Sequence, residues 1–358
     1  MPSESVQAQV LRQAVEELFA AAGASHDTAT LIAAHLVEAN LRGHDSHGVG
    51  VVPMYLDSLQ AGGMVLDQEL KLVADLGGMT ILDAGRGPGQ VTGHQAMQLG
   101  IERAKAQGSA IIGLRNSHHL GRIGHWAEQC AAAGLVSIHF VNVVAGAIVA
   151  PFGGTKARLG TNPFAAGFPR TGADPVIVDF ATSRLAMGKV RVYRNQGRTL
   201  PDNALLTADG VPTNDPNELF TTPPGVLVPF GDHKGWGLAL ACELLGAALL
   251  GGETQHDASS DPAVINSMLS ILVSPERIGT LEAFGGEMAQ VLAWVQSENA
   301  EQPGRVLLPG QPELAMRQQR LDEGIPIDPA TLQQIAAAAD TFGLQGLVFH
   351  QLAERSRA

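Results

Sequence analysis

The chain has 358 residues, 45% of them apolar, which is enough for two domains and a sizeable core. Its net charge of −12 argues against a reader of phosphate backbones, because such binding rests on Lys and Arg neutralising phosphate. Charged residues are only 16%, low for a molecule that exposes its whole surface, and this points to a buried subunit interface.

Val6, Val10, Leu11, Val15, Leu18 and Phe19 recur at the three-and-four spacing of an amphipathic helix, predicting one over 5–22. A second helix is expected from a cap near Ser25-His26-Asp27 through Leu31, Ile32, Leu36 and Leu41, with Gly43 as its stop. The turn Gly43-His44-Asp45-Ser46-His47-Gly48 follows. Pro53 excludes a long helix directly after it, and 51–59 resumes helically with Tyr55 on its first turns.

From Leu70 to about Ser274 the pattern changes. Short β-branched runs at 79–83, 110–114, 136–144, 176–179, 226–230 and 268–273 alternate with helix-like stretches at 94–107, 124–133 and 237–250. Helical signals return at 281–298, 313–323 and 329–342. The expected fold class is mixed α/β (α+β): a discontinuous helical domain, 1–72 with 300–358, flanking an α/β domain at 73–299. The stretches 251–261 and 298–304 read as exposed loops.

Cys130 and Cys242, the only two cysteines, lie in alanine-rich helical contexts and read as small buried hydrophobes in a reducing compartment. No basic segment followed by an apolar run opens the chain, so no signal peptide is expected. The least polar stretch, 238–250, contains Glu243. A soluble, cytoplasmic protein with no membrane or nucleic-acid partner is expected.

The run Ile81-Leu82-Asp83-Ala84-Gly85-Arg86-Gly87-Pro88-Gly89-Gln90 reads like a strand entering a glycine-rich phosphate loop. The dinucleotide fingerprint G-x-G-x-x-G fails, however, at Gln90, or at Thr92 if started from Gly87. Pro88 also removes an amide that such a loop would aim at phosphate. An ordinary turn is expected here. If a dinucleotide binds, the fold is not the standard Rossmann one.

Two histidine-rich turns carry the chemistry. His44 and His47 sit beside Asp45 and Ser46, a set suited to general acid/base work because imidazole titrates near neutrality. A polar helix-terminus turn, with His44 on carbonyls and His47 merely exposed, is the bland alternative. The second turn is Asn116-Ser117-His118-His119-Leu120-Gly121, with Arg122 and His125 beyond it. Neighbouring His118 and His119 point different ways, so one of them joins a given pocket. A metal site would recruit His44, His47, His119 and His125, but no recognisable metal spacing is present, and none is expected.

Three further segments are candidates for nucleotide contact. Gly160-Thr161-Asn162-Pro163 reads as a tight turn. In Val178-Asp179-Phe180-Ala181-Thr182-Ser183, Asp179 either accepts from a ribose or caps the next helix. Asp232-His233-Lys234-Gly235-Trp236-Gly237 opens a long helix whose amides and lysine suit a pyrophosphate, or form an ordinary capped start. Leu308-Pro309-Gly310-Gln311-Pro312-Glu313 is a turn without legible chemistry.

Taken together and in this order, Ser46-His47-Gly48 with Tyr55, Asn116-Ser117-His118-His119-x-Gly121, Gly160-Thr161-Asn162-Pro163, Asp179-Phe180-Ala181-Thr182-Ser183, Lys234-Gly235-Trp236-Gly237 and Leu308-Pro309-Gly310 resemble the malate/L-lactate dehydrogenase family. Within it they are most similar to the hydroxycarboxylate dehydrogenase B branch. The resemblance implies a homodimer with a largely antiparallel, non-Rossmann cofactor domain. It implies hydride exchange between NAD or NADP and a 2-hydroxy or 2-oxo acid. By carry-over, His47 is the proton carrier, His119 its rival and Ser46 the residue that orients substrate or His47. Cofactor contacts would come from Val176, Ile177, Val178, Asp179, Phe180 and Ala181, from His233 and Lys234, from Gly310, Gln311 and Pro312, and more loosely from Arg122.

Two departures from the family pattern stand out. Many members have an arginine four positions after the histidine, where this chain has Val51, and a polar pair where it has Val143 and Val144. Both make the expected pocket more apolar and leave Arg122, Arg42 or Lys234 to meet the substrate carboxylate. A bulkier 2-oxo acid than malate is therefore expected. The rival readings are ureidoglycolate, sulfolactate or a cyclic imino acid on the same scaffold, a metal-dependent hydrolase, and a non-catalytic nucleotide binder.

Overall fold

A computed structural model describes residues 4–195, 197–257, 263–297 and 306–355. In chain order the head holds β1 (Glu4–Val6), α1 (Ala8–Ala21), α2 (His26–Leu41) and α3 (Val52–Gln60). The middle runs β2 (Lys71–Asp75), β3 (Met79–Asp83), α4 (Gly89–Gln107), β4 (Ser109–His118), α5 (Gly124–Ala132), β5 (Val136–Val144), β6 (Phe164–Phe168), β7 (Val176–Phe180) and α6 (Met187–Asn195). It continues through β8 (Leu205–Leu206), β9 (Pro212–Thr213), β10 (Val226–Leu227), α7 (His233–Gly246), β11 (Ile265–Val273) and α8 (Leu281–Ser297). The tail is α9 (Gln311–Glu323), β12 (Ile325–Ile327), α10 (Pro329–Thr341) and α11 (Val348–Arg355).

The head and tail share one hydrophobic core. Leu11, Leu18, Ile32, Leu36, Tyr55 and Leu56 of the head pack with Ile325, Leu332, Ile335, Phe349 and Leu352 of the tail. Antiparallel pairing of β1 with β12, Val6 opposite Ile325, ties the two ends of the chain together. Helix α2 starts as expected, with the Ser25 hydroxyl accepting from the Thr28 amide, and Gly43 takes a left-handed φ of 82° just past its end.

A second core lies against a seven-stranded sheet ordered β2-β3-β4-β11-β5-β6-β7. Every neighbouring pair in it is antiparallel except β3 with β4, which α4 connects. Trp126, Met97, Ile112, Leu114 and Met268 fill the space between the sheet and helices α4 and α5. Strands β8, β9 and β10 make a separate three-stranded sheet with its own small core around Val149, Val190 and Leu205.

Several expectations needed correction. Val6 belongs to a strand, the strand expected over 226–230 is only Val226–Leu227, and helix α7 begins at His233, earlier than expected. Strands β2 and β6 and helices α6 and α11 were not anticipated. Gln255, in the expected exposed loop, is buried, its amide held by the Glu243 carboxylate. The stretch 298–304 lies outside the described residues. Both cysteines are buried free thiols, and burial pushes each up to about 12.

Candidate active site

The first histidine turn forms because α2 has just ended and the chain must reverse into α3. Asn40, buried in the last turn of α2, stitches it: its amide donates to Asp45 Oδ1 at 2.7 Å and its carbonyl accepts from the Val49 amide at 2.8 Å. Gly48 passes so close that a Cβ there would meet the Asn40 oxygen at 2.1 Å, so only glycine fits. From the tail, Arg320 grips Asp45 with both Nη atoms, at 2.6 and 3.0 Å, and also donates to the Asn40 carbonyl. Asp45 is therefore a structural partner, and the turn presents Ser46 and His47.

The second turn is held at least as firmly. Asn116 takes a left-handed φ of 55°, and its side chain reaches Asp83. The amides of Arg86 and His118 bond to the carbonyls of Asn116 and Gly87 respectively, and the Leu120 amide donates to Asn266. Gly89 packs against the backbone here, its missing Cβ leaving room for the His119 carbonyl. The glycine-rich loop that fails as a fingerprint is thus a scaffold for the histidine turn.

These two turns meet. The imidazoles of His47 and His119 stack with centroids 5.6 Å apart and planes 17° from parallel. His47 Nδ1 lies 3.0 Å from Ser46 Oγ, and His119 Nδ1 lies 2.8 Å from the Tyr55 hydroxyl. Gln90 donates to that hydroxyl at 2.7 Å. Burial, with His44 and Arg122 adding repulsion, lowers His47 to about 4. Burial and then His47 and His118 hold His119 well below the ordinary histidine range. Burial also raises the Tyr55 phenol, so it stays protonated. Both imidazoles keep part of their surface accessible, whereas Tyr55, Gln90 and His118 are buried. As expected, His118 points elsewhere, edge-on to Tyr55.

His44 and His125 do not join the pair. His44 faces Glu313 at 3.6 Å, and His125 packs on His35 at 4.3 Å between centroids. Among the described residues no group of three or more His, Cys, Asp or Glu side chains is arranged to hold a metal ion. Ser46 packs against Gly188 of α6, an element absent from the sequence reading.

The residues expected to hold a cofactor form a second, adjoining region. The Ile177 amide bonds to the Pro309 carbonyl at 3.1 Å, which brings Val176 and Ile177 against Gly310, itself at a φ of 94°. Gln311 turns back to accept from the Leu308 amide, while Pro312 is exposed. Past β7, the Phe230 amide bonds to the Thr182 carbonyl and the Gly235 amide to the Phe230 carbonyl, linking the strand end at Phe180 and Ala181 to exposed His233 and Lys234. Val178 is half-buried, and Phe180 stacks edge-on with Phe230 at 5.3 Å. Asp179 does not cap the helix that follows it: its carboxylate accepts from the Gly124 amide at 2.9 Å, at the start of the earlier helix α5. The turn at 160–163 is a brace, with Asn162 bonding to the Val143 amide, Ala239 and Glu243.

Both arginines expected to meet the substrate carboxylate are already engaged. Arg122 is buried and paired with Glu128, and Arg42 bridges Glu38 and the same Glu128. Val51 packs against the helical core, and Val144 is buried with Ala263 and Ile265, so neither position is simply an apolar pocket wall.

The structure is a helical unit set against a mixed, mainly antiparallel sheet, with two facing imidazoles brought together from distant turns. The model of the malate/L-lactate dehydrogenase family matches residues 6–336, and the chain belongs to that family. It is 43% identical over 340 residues to hydroxycarboxylate dehydrogenase B of Escherichia coli (strain K12), with 94% of each chain covered. To the L-lactate dehydrogenase of Cupriavidus necator it is 38% identical over 339 residues, covering 93% of this chain and 96% of the relative. A solved E. coli structure, whose malate/lactate dehydrogenase assignment is itself provisional, superposes with a TM-score of 0.92 at 41% identity, covering 99% of this chain and 100% of the other.

Proposed function

We propose that this protein is an NAD- or NADP-dependent oxidoreductase that interconverts 2-hydroxycarboxylates and 2-oxo acids. The observation that carries this reading is the stacked pair His47 and His119, each tied at Nδ1 and each left partly accessible. When bound, the nicotinamide supplies or accepts the hydride. What the chain must add is a group that moves one proton at the substrate's 2-oxygen and donors that steady the developing oxyanion. In this reading His47 moves the proton at the substrate's 2-oxygen, oriented by Ser46, and His119 stands beside it at the same oxygen. Reduction then consumes one proton with the hydride, and oxidation releases both.

The region around β7 fits a dinucleotide by the chemistry of its donors. The exposed Lys234 suits a phosphate, and the exposed Phe180 offers a face to an aromatic base. That assigns cofactor contact to Val176–Phe180, Ala181, His233, Lys234 and Gly310–Pro312. Arg122 acts there at a distance, through Glu128 and Asp179. Lys234 is the remaining exposed candidate for the carboxylate of the substrate. Because the fingerprint loop is occupied in supporting His119, this is a non-Rossmann mode of binding.

The two units divide as 1–72 with 300–358 and 73–299, a division supported by the separate cores, with β2 from Lys71 going to the sheet. A homodimer is supported by α8, which buries none of its side chains and exposes Trp294 at 76% and Val291 at 52%. No described helix is long and apolar enough to cross a membrane. A cytoplasmic enzyme is part of the proposal, in keeping with its two buried free thiols. Mixing the protein with NADH or NADPH and a panel of 2-oxo acids, with cyclic imino acids included, and following nicotinamide absorbance tests the proposal. Absence of oxidation across the panel with both cofactors would sink it.

A further inference from the structure

Three segments distant in sequence meet at His119. Tyr55 comes from α3 of the helical unit, Gln90 from the first turn of α4, and His119 from the turn after β4. Gln90 Nε2 lies 2.7 Å from the Tyr55 hydroxyl oxygen and 3.4 Å from the His119 carbonyl oxygen. A carbonyl oxygen only accepts, so the amide group facing it must be the NH₂; the reversed amide would set two carbonyl oxygens against each other. With Gln90 donating, the Tyr55 oxygen is an acceptor on that side, and its single hydrogen is free to point to His119 Nδ1, 2.8 Å away. Nδ1 then accepts, and the ring hydrogen of the neutral imidazole sits on Nε2.

We infer that Gln90 and Tyr55 form a one-way hydrogen-bond chain that fixes His119 as a neutral Nε2–H tautomer, a hydrogen-bond donor to the substrate's 2-oxygen, and that proton transfer falls to His47. The clause about substrate rests on the function proposed above; the tautomer does not. An imidazolium at His119 would aim Nδ1–H and the Gln90 amide at the same phenol oxygen. The phenol hydrogen would then be stranded in a buried site, a state that proteins avoid. Burial of the ring agrees, and so do the neighbouring His47 and His118, since all three disfavour a second proton there. Tyr55 and Gln90 are buried while the His119 ring is partly accessible, which leaves Nε2 as the nitrogen open to a ligand. Tyr55 and Gln90 are thus positioning residues. His47 has no such one-way chain, because Ser46 Oγ both donates and accepts and lets the ring cycle between protonation states.

The test is the ring ¹⁵N spectrum of histidine-labelled protein at pH 7, with the His119 signals assigned by difference from His119→Gln. The expected wild-type result is a protonated Nε2 and a bare Nδ1. Gln90→Glu replaces the donor by an acceptor and should reverse the chain, moving the proton to Nδ1; Tyr55→Phe should give mixed tautomers. Should Gln90→Glu melt far below the wild type, Gln90→Met, which only removes the donor, should also give the mixture. A wild-type His119 protonated on Nδ1 or on both nitrogens, or a folded Gln90→Glu with an unchanged spectrum, overturns the inference. In kinetics, Tyr55→Phe should lower kcat about 10- to 100-fold while leaving the KM for the nicotinamide cofactor within about twofold. An unchanged kcat on an accepted 2-oxo acid removes the donor role, whereas failure of every 2-oxo acid counts against the proposed function and leaves the spectrum to decide the tautomer.

Discussion

His47 and His119 face each other across a 5.6 Å stack although one belongs to the helical unit and the other to the sheet. A substrate oxygen at the rim of the stack would therefore meet two neighbouring imidazoles with unlike hydrogen-bond partners. Removing either imidazole is expected to cost activity with the fold kept: His47→Ala should lower kcat by about 10²–10⁴-fold, the range for a proton-transfer group. His119→Ala should lower it by about 10–10³-fold, nearer to the loss of one transition-state donor. Steady-state kinetics on the best substrate measures both. A His47 variant within a few-fold of wild type would pass the proton-carrying role to His119.

The direction of the pH profile follows from the lowered value of His47, about 4 in the free protein. Oxidation of a hydroxy acid needs the neutral imidazole as base, so its kcat/KM should rise through that value and level off by neutrality. Reduction needs the protonated form, so its kcat/KM should fall as pH climbs above it. The reverse ordering of the two limbs, or a flat reduction profile between pH 4 and 8, would contradict a proton carried by His47.

Stability should weaken in acid for a related reason. His139 lies within the sheet, hydrogen-bonded to Ser270 and Ser137, and burial lowers it to about 3. Its folded value lies below the unfolded one, so the unfolded chain binds more protons between them, and stability falls as pH drops from about 6.5 toward 3. Each such histidine contributes up to about 1.4 kcal/mol per pH unit in that window. Urea unfolding at pH 4–7 should show a shallower slope for His139→Gln, whose amide keeps a donor and an acceptor. An unaltered slope would rule out this origin.

Gly48→Ala should disturb both stability and catalysis. The added methyl collides with Asn40, whose amide organises the whole turn, and a loss of about 1–3 kcal/mol is expected. Misplacing His47 should also lower kcat at least about 10-fold, with cofactor KM little changed. Thermal melts and kinetics on the same sample check this. A melting point at the wild-type value would mean that the turn tolerates the methyl.

Trp294→Glu on α8 should convert the proposed dimer to a monomer, because none of the helix's side chains is fully buried and its tryptophan is the most exposed large apolar side chain among the described residues. Light scattering coupled to gel filtration reads the mass directly. A wild-type monomer at micromolar concentration would refute the dimer itself.

Where local chemistry decides the structure, the sequence was legible. Ser25 before α2, Gly43 after it and the β-branched runs of β3, β5 and β11 announce themselves. Strand β6 does not: Phe-Ala-Ala-Gly-Phe has little strand preference, and it pairs because β5 and β7 flank it on either side. The histidine turns were visible by residue type, but the partners of His119 were not. Tyr55 and Gln90 reach it from segments tens of residues away, and no spacing rule links the three. Gln90 was noticed only as the residue that spoils a fingerprint. The Gly124 amide as a partner of Asp179 is hidden for the same reason, since it precedes Asp179 in the chain.

The shared core of head and tail sets an order of events during synthesis. His47 leaves the ribosome early, yet the arginine that clamps its turn is Arg320, and the strand that closes against β1 is β12. Until those late residues emerge, the head lacks the tail side of its core, whereas the sheet already has all seven of its strands. The turn that carries His47 is therefore complete only when the late tail has folded back onto the early head.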